Sequence, residues 1–267
     1  MKMPKTVALF ILLAVTPIAS FAASMGDTYV IPVAAHTSGA TGETWTSEAS
    51  FFNPASDPLL LDLALVDSTG ASRSVASGVT VAANATVTLR DIIGAAGGSG
   101  ALIVAGNHPF AITSRAVATS ARGTFNESIV PATEFIDAVT HDAFLPGLAA
   151  NGATRSNIGF FAAADRGADM TVTITLFGPA GTQLGTRSFT VPGGGMTQVQ
   201  ISTQTLTAAS FGEGSARVSI TGGNGIATAY GSVVDNATGE GVFIAGTTGV
   251  AAPSSAAAAL RTHFTFW

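Results

Sequence analysis

The chain has 267 residues, 47% hydrophobic and only 10% charged, with 31 glycines and no cysteine; a charged share of about 25% is usual. Such a composition excludes a disordered chain, which lacks apolar surface to bury, and excludes disulfides, thiol nucleophiles, iron–sulfur clusters and cysteine-linked lipid. Lys2 and Lys5 are the only lysines, so beyond residue 23 nine arginines face sixteen acidic residues, near −7 overall; that balance offers no basic patch to nucleic acid and little attraction to an anionic membrane.

At the start of the chain, Lys2 and Lys5 flank a positive segment, and Val7 to Val15 form an apolar stretch too short to span a bilayer. Pro17 then breaks the stretch, and Ser20-Phe21-Ala22 supplies the small residues a signal peptidase prefers. A cleaved signal peptide is therefore expected over residues 1–23, and export to the periplasm, cell surface or extracellular space with it. No later segment is apolar for long enough to span a membrane as a helix, so an integral membrane protein is not expected.

Residues 24–132 and 144–246 read as two copies of one unit, a self-similarity to be sought before anything else. Ile31-Pro32 is matched by Leu145-Pro146, and Trp45 to Phe52 (WTSEASFF) by Thr154 to Phe161 (TRSNIGFF). Leu61 to Val66 corresponds to Val172 to Phe177, Val79-Thr80-Val81 to Phe189-Thr190-Val191, and Gly100 to Val104 to Ser215 to Ser219. Phe110 to Val117 corresponds to Ile226 to Val233, each expected to follow a turn, Asn107-His108-Pro109 in the first unit and one holding Asn224 in the second. Each matched segment alternates or runs apolar for five to eight residues between Gly, Pro, Asn or Asp. Seven or eight short strands in about 100 residues predict an all-β fold of two tandem immunoglobulin-like, Greek-key β-sandwich repeats. Phe51, Phe52, Phe160 and Phe161 are expected in the cores. Residues 133–143 read as a linker or a short ordered connector with Phe135 and Ile136 packed between the units. Residues 247–267 read as an Ala/Ser-rich tail ending in Phe264, Phe266 and Trp267.

The chemistry-bearing residues select no catalytic site. Gly98-Ser99-Gly100 and Gly212-Glu213-Gly214-Ser215 lack the spacing of a nucleophile elbow and precede strands. His36, His108, His141 and His263 have no second ligand at a zinc spacing. The carboxylates are scattered, and no spacing picks out a general acid/base pair. No catalytic residue, metal ligand or cofactor is expected. Trp45 stands out. It follows the polar stretch His36 to Glu43, which the second unit shortens, and it either closes the end of a core or stacks on a sugar or partner. The exposed aromatic end Phe264, Phe266, Trp267 would be a docking element.

Ile31-Pro32, Trp45-Thr46-Ser47, Phe51-Phe52-Asn53-Pro54 and the closing Ser232 to Gly239 together resemble a group of exported bacterial proteins with tandem immunoglobulin-like β-sandwich repeats. The resemblance implies a β-sandwich in a cell-envelope or secreted setting and brings no catalytic residue. The function expected is a non-catalytic structural or protein-interaction module contacting protein or polysaccharide at the cell surface. One alternative is a carbohydrate-binding module using Trp45 and the His36–Glu43 loop. The other is a hydrolase with a carboxylate site, which would need a deep cleft between the units holding two or more acids.

Overall fold

Thr171 to Leu176 alternates hydroxyl and branched apolar side chains, and the period of two puts Val172, Ile174 and Leu176 on one buried face. The same rule builds the whole molecule. A computed structural model describes residues 25–39, 42–121, 123–132, 135–137, 142–164, 168–191, 193–201 and 206–248. The expected leader, His141 and the aromatic tail with Phe264, Phe266 and Trp267 lie outside the described residues. Those described are all-β, every pairing is antiparallel, and none is in an α-helix.

The first half holds β1 (Gly26–Ser38), β2 (Thr44–Phe52), β3 (Leu59–Val66), β4 (Ser72–Val81), β5 (Thr86–Leu89), β6 (Gly98–Ser120) and β7 (Gly123–Ile129). The second holds β8 (Ile136–Asp137), β9 (Asp142–Ala150), β10 (Thr154–Ala164), β11 (Met170–Phe177), β12 (Gln183–Val191), β13 (Gly195–Gln200), β14 (Phe211–Gly222), β15 (Gly225–Asp235), β16 (Gly241–Ala245) and β17 (Thr247–Thr248).

Pairings recur between the halves. β3 lies between β4 and the first part of β6, as β11 lies between β12 and β14. β2 lies between β5 and the second part of β6, as β10 lies between β13 and β15. A side-chain bond recurs too: Ala35 N donates to Ser47 Oγ (2.9 Å), and Ala149 N donates to Ser156 Oγ (3.0 Å).

One difference corrects the sequence reading. Asn107-His108-Pro109 is not a turn; β6 runs through it for 23 residues, so the first half is a single seven-stranded sheet. Pro109 lacks an amide hydrogen, and Asn107 stitches the interruption, its Oδ1 accepting from Leu60 N (2.9 Å). In the second half Gly222 to Gly225 breaks the equivalent path into β14 and β15, and Gly223 holds φ +81, which favours glycine.

Three apolar layers hold these sheets. Phe51, Leu61, Leu63, Leu102 and Phe110 centre the first core, with Phe110 edge-on to Tyr29. Ile158, Phe160, Val172, Ile174 and Val218 centre the second. Between the halves lies a third layer, in which Val30, Val66, Ala101 and Ile103 meet Phe135, Phe161, Ala163, Met196 and Ile226. Ile136 enters the second core while its neighbour Phe135 enters the joint, so the connector is packed on both sides.

The joint explains why repeat-equivalent phenylalanines part company. Phe161 faces the first half and is 0% exposed, whereas Phe52, expected in the core, faces outward and is 40% exposed. Truncating Phe161 opens a cavity, and Phe161→Ala is expected to cost about 3–5 kcal/mol. Phe52→Ala is expected to cost less than about 1 kcal/mol. Urea unfolding of the two variants checks this, and equal losses would contradict the joint.

Candidate functional site

The outer face of one sheet in the second half carries both the joint and a cleft. Outward positions along β10 run Ala163, Phe161, Gly159, Asn157, Arg155, from apolar to polar. Their cross-strand partners follow the same gradient: Phe161 pairs with Thr228 and Met196, Gly159 with Tyr230 and Gln198, Asn157 with Ser232 and Gln200. The apolar end is pressed into the joint. The polar end faces β1, β2 and β7 of the first half across a cavity of about 400 Å³, within the range of small-ligand sites.

Glycine at 159 is required by this geometry, because a Cβ there would run into the Tyr230 ring. Tyr230 is fully buried, lies flat against Phe243 (5.5 Å between centroids, 14° between planes) and donates its hydroxyl to Gln198 Oε1 at 2.7 Å. Burial, and then the nearby Glu127 carboxylate, push its phenol upward, so it remains a donor.

Glu127 comes from the first half. On β7 the positions Phe125, Glu127 and Ile129 share a face, and Ile129 belongs to the first core. The acid between them is only 7% exposed and lines the cleft. Ser232 Oγ donates to its Oε1 at 2.8 Å across the two halves. Desolvation raises its pKa above the ordinary 4.5, with the Ser232 bond pulling the other way.

Trp45 and Glu43 stand at the mouth. Trp45 opens the row Trp45, Ser47, Ala49, Phe51, whose far end is core. Its own ring is half-buried and lies outside that core cluster, so it does not plug the sandwich. Trp45 Nε1 donates to Glu43 Oε1 at 3.3 Å, and Gly39 N donates to Glu43 O at 2.7 Å, closing the loop. A Cβ on Gly39 would strike the Glu43 side chain. Arg155 Nη1 donates to Asn236 Oδ1 at 3.0 Å. Trp45, Glu43 and Arg155 also border a second groove of about 250 Å³ that continues past Phe125 and Thr238.

His36, grouped with Trp45 and Glu43 by sequence, is turned away. Its Nδ1 lies 2.7 Å from Asp91 Oδ1, tying β1 to the turn after β5. His108 Nε2 is buried with no hydrogen-bond partner, and its Nδ1 lies 3.2 Å from Pro109 O. Among the described residues no three His, Asp or Glu side chains gather as a metal site. Sequence reasoning missed Glu127, Arg155 and Tyr230. The available signal was an acid at an inward position of an alternating strand (Phe125, Glu127, Ile129), which calls for a buried partner.

No protein-family model matches the chain, and no curated protein is similar to it in sequence.

The raised pKa of Glu127 makes a signed prediction. A group whose folded pKa lies above its unfolded value stabilises the fold fully below the unfolded value, and that contribution is lost as pH rises through the folded one. Glu127→Gln keeps an acceptor for Ser232 and cannot ionise. The variant is expected to be more stable than the parent at pH 7, and the gap to close as pH falls below about 4.5. Thermal melts of both proteins from pH 4 to 8 read the difference, which cancels the opposite trend of Asp67 and Asp235, whose pKa values are lowered by Thr69 and by Thr238 and its neighbour.

Proposed function

We propose that this chain is a non-catalytic, exported interaction module whose contact site is the cleft shared by its two halves. One observation carries the reading: side chains from both halves converge on a cavity of about 400 Å³ with an aromatic residue at its mouth and polar groups along its wall. Pockets of that size and mixture are the usual small-ligand or side-chain receptors. Ser232 already donates to Glu127, and Tyr230 to Gln198, which favours a prebuilt wall over a reacting centre. The export setting rests on the N-terminal sequence, and the partner proposed with it is a protein or polysaccharide met in the periplasm, at the cell surface or outside the cell.

A hydrolase remains the second reading, favoured by one specific fact. Glu43 and Glu127 line the same cleft, and burial pushes the Glu127 carboxyl upward, the direction a general acid needs.

The two readings separate in one pair of assays. Immobilised protein lacking residues 1–23 is incubated with a cell-envelope fraction, and retained material is compared for the parent, Trp45→Ala and Arg155→Ala. A loss of about tenfold or more is expected; unchanged retention in both variants places the contact elsewhere and sinks the reading. The same proteins, with Glu127→Gln added, are assayed for release of reducing ends from polysaccharide. Steady release that falls by about 10²–10⁴ in Glu127→Gln would establish the hydrolase instead.

A further inference from the structure

Resting on the reading of the cleft as a contact site, we infer that its ligand is a neutral saccharide chain, with Trp45 as the stacking platform. Three features select that chemistry over others.

The first is the kind of polar group present. Asn157, Gln198 and Gln200 line one wall from β10 and β13. Amides both donate and accept, as sugar hydroxyls do, so each hydroxyl finds a match in either sense. A lipid tail would offer the Asn157 and Gln200 amides no partner, at a cost of about 1–3 kcal/mol each.

The second is charge. Arg155 is the basic residue of the wall, and Glu43 and Glu127 oppose it. A phosphate or polyanion would meet two carboxyl groups for one guanidinium. A cation would find both carboxylates already accepting hydrogen bonds, Glu43 from Trp45 and Glu127 from Ser232, with Arg155 in the same lining. A neutral ligand meets no repulsion, and the planar guanidinium offers paired donors to vicinal hydroxyls.

The third is shape. The indole of Trp45 is held by its Nε1 bond to Glu43, which fixes one edge and leaves ring surface at the cavity mouth. An aromatic plane with a polar edge suits a ring that is apolar on its C–H faces and polar at its rim. The cleft and the adjoining groove share Trp45, Glu43 and Arg155. A chain of sugars would therefore lie with one unit on each side of the tryptophan, in cavities of about 400 and 250 Å³.

The chain has two tryptophans, Trp45 and Trp267, so Trp267→Phe leaves Trp45 as the sole reporter. In that background, soluble hexamers of β-1,4-linked glucose, β-1,4-linked N-acetylglucosamine and α-1,4-linked glucose are titrated against indole emission and by calorimetry. At least one is expected to give a saturable emission change with matching heat. Arg155→Ala and Asn157→Ala should each weaken it by about tenfold or more, a change of about 1.4 kcal/mol. Thr173→Ala, on the far sheet, should leave it unchanged, with thermal melts confirming that every variant folds. No response to any hexamer, or a response indifferent to Arg155 and Asn157, overturns the saccharide. A peptide library bound in its place, with loss in the same two variants, also overturns it. If saccharides fail while envelope retention still depends on Trp45, the contact site stands and only the ligand class falls; if both are blank, both fall.

Discussion

Everything distinctive in this molecule depends on an apolar contact between two sheet faces that a lone sandwich would turn to solvent. Val30, Val66, Ala101 and Ile103 press against Phe135, Phe161, Ala163, Met196 and Ile226. Those strands are consequently buried on both faces, which a sheet tolerates only when something covers it. The seal occupies one end of the shared face. At the other end the outward side chains turn polar and the halves part, and the cleft is the gap left over. Site and joint are two ends of one surface.

That arrangement gives the buried Glu127 its meaning. A carboxyl that is 7% exposed carries a desolvation cost, and its acceptor atom is met by Ser232 from the other half. The bond is polar in a place where an aliphatic pair would seal as well, so it adds orientation more than adhesion. Tyr230, held between the Gly159 backbone and Phe243, fixes the adjacent wall. The inner side of the cleft is thus braced by packed rings, while Trp45 and Arg155 are oriented by bonds to Glu43 and Asn236.

The all-β class was legible because alternation is a local property of each strand, as in Thr171 to Leu176. The joint was legible only in asymmetry between the copies. Ala101-Leu102-Ile103-Val104 runs apolar on both faces, while Ser215-Ala216-Arg217-Val218, its counterpart in the ladders and one position off the match read from sequence, alternates; the first is covered and the second is not. Nothing in Phe51-Phe52 against Phe160-Phe161 tells which second phenylalanine is buried, since the face that covers Phe161 comes from Val30, Val66, Ala101 and Ile103, far earlier in the chain. For the site, Trp45 and Glu43 announced themselves by composition. Their companions Glu127, Arg155 and Tyr230 come from strands far apart in the chain, and only the packing of one half on the other brings them together. His36 shows the converse: near Trp45 in sequence, it points to Asp91 instead.

The unbroken β6 strand sets an order of events as well as a shape. It supplies partners for β1, β2, β3 and β7, whereas before it the chain can form only the pairings of β1 with β2, β2 with β5, and β3 with β4. A chain that emerges N-terminus first, as from a membrane pore, would therefore expose isolated hairpins with open edges until residue 120 is available. Long-range closure of this kind is slow, and unpaired edges invite neighbours. The first half is then committed late, so its vulnerable interval falls while the chain is still emerging, when a chaperone holding it would matter most.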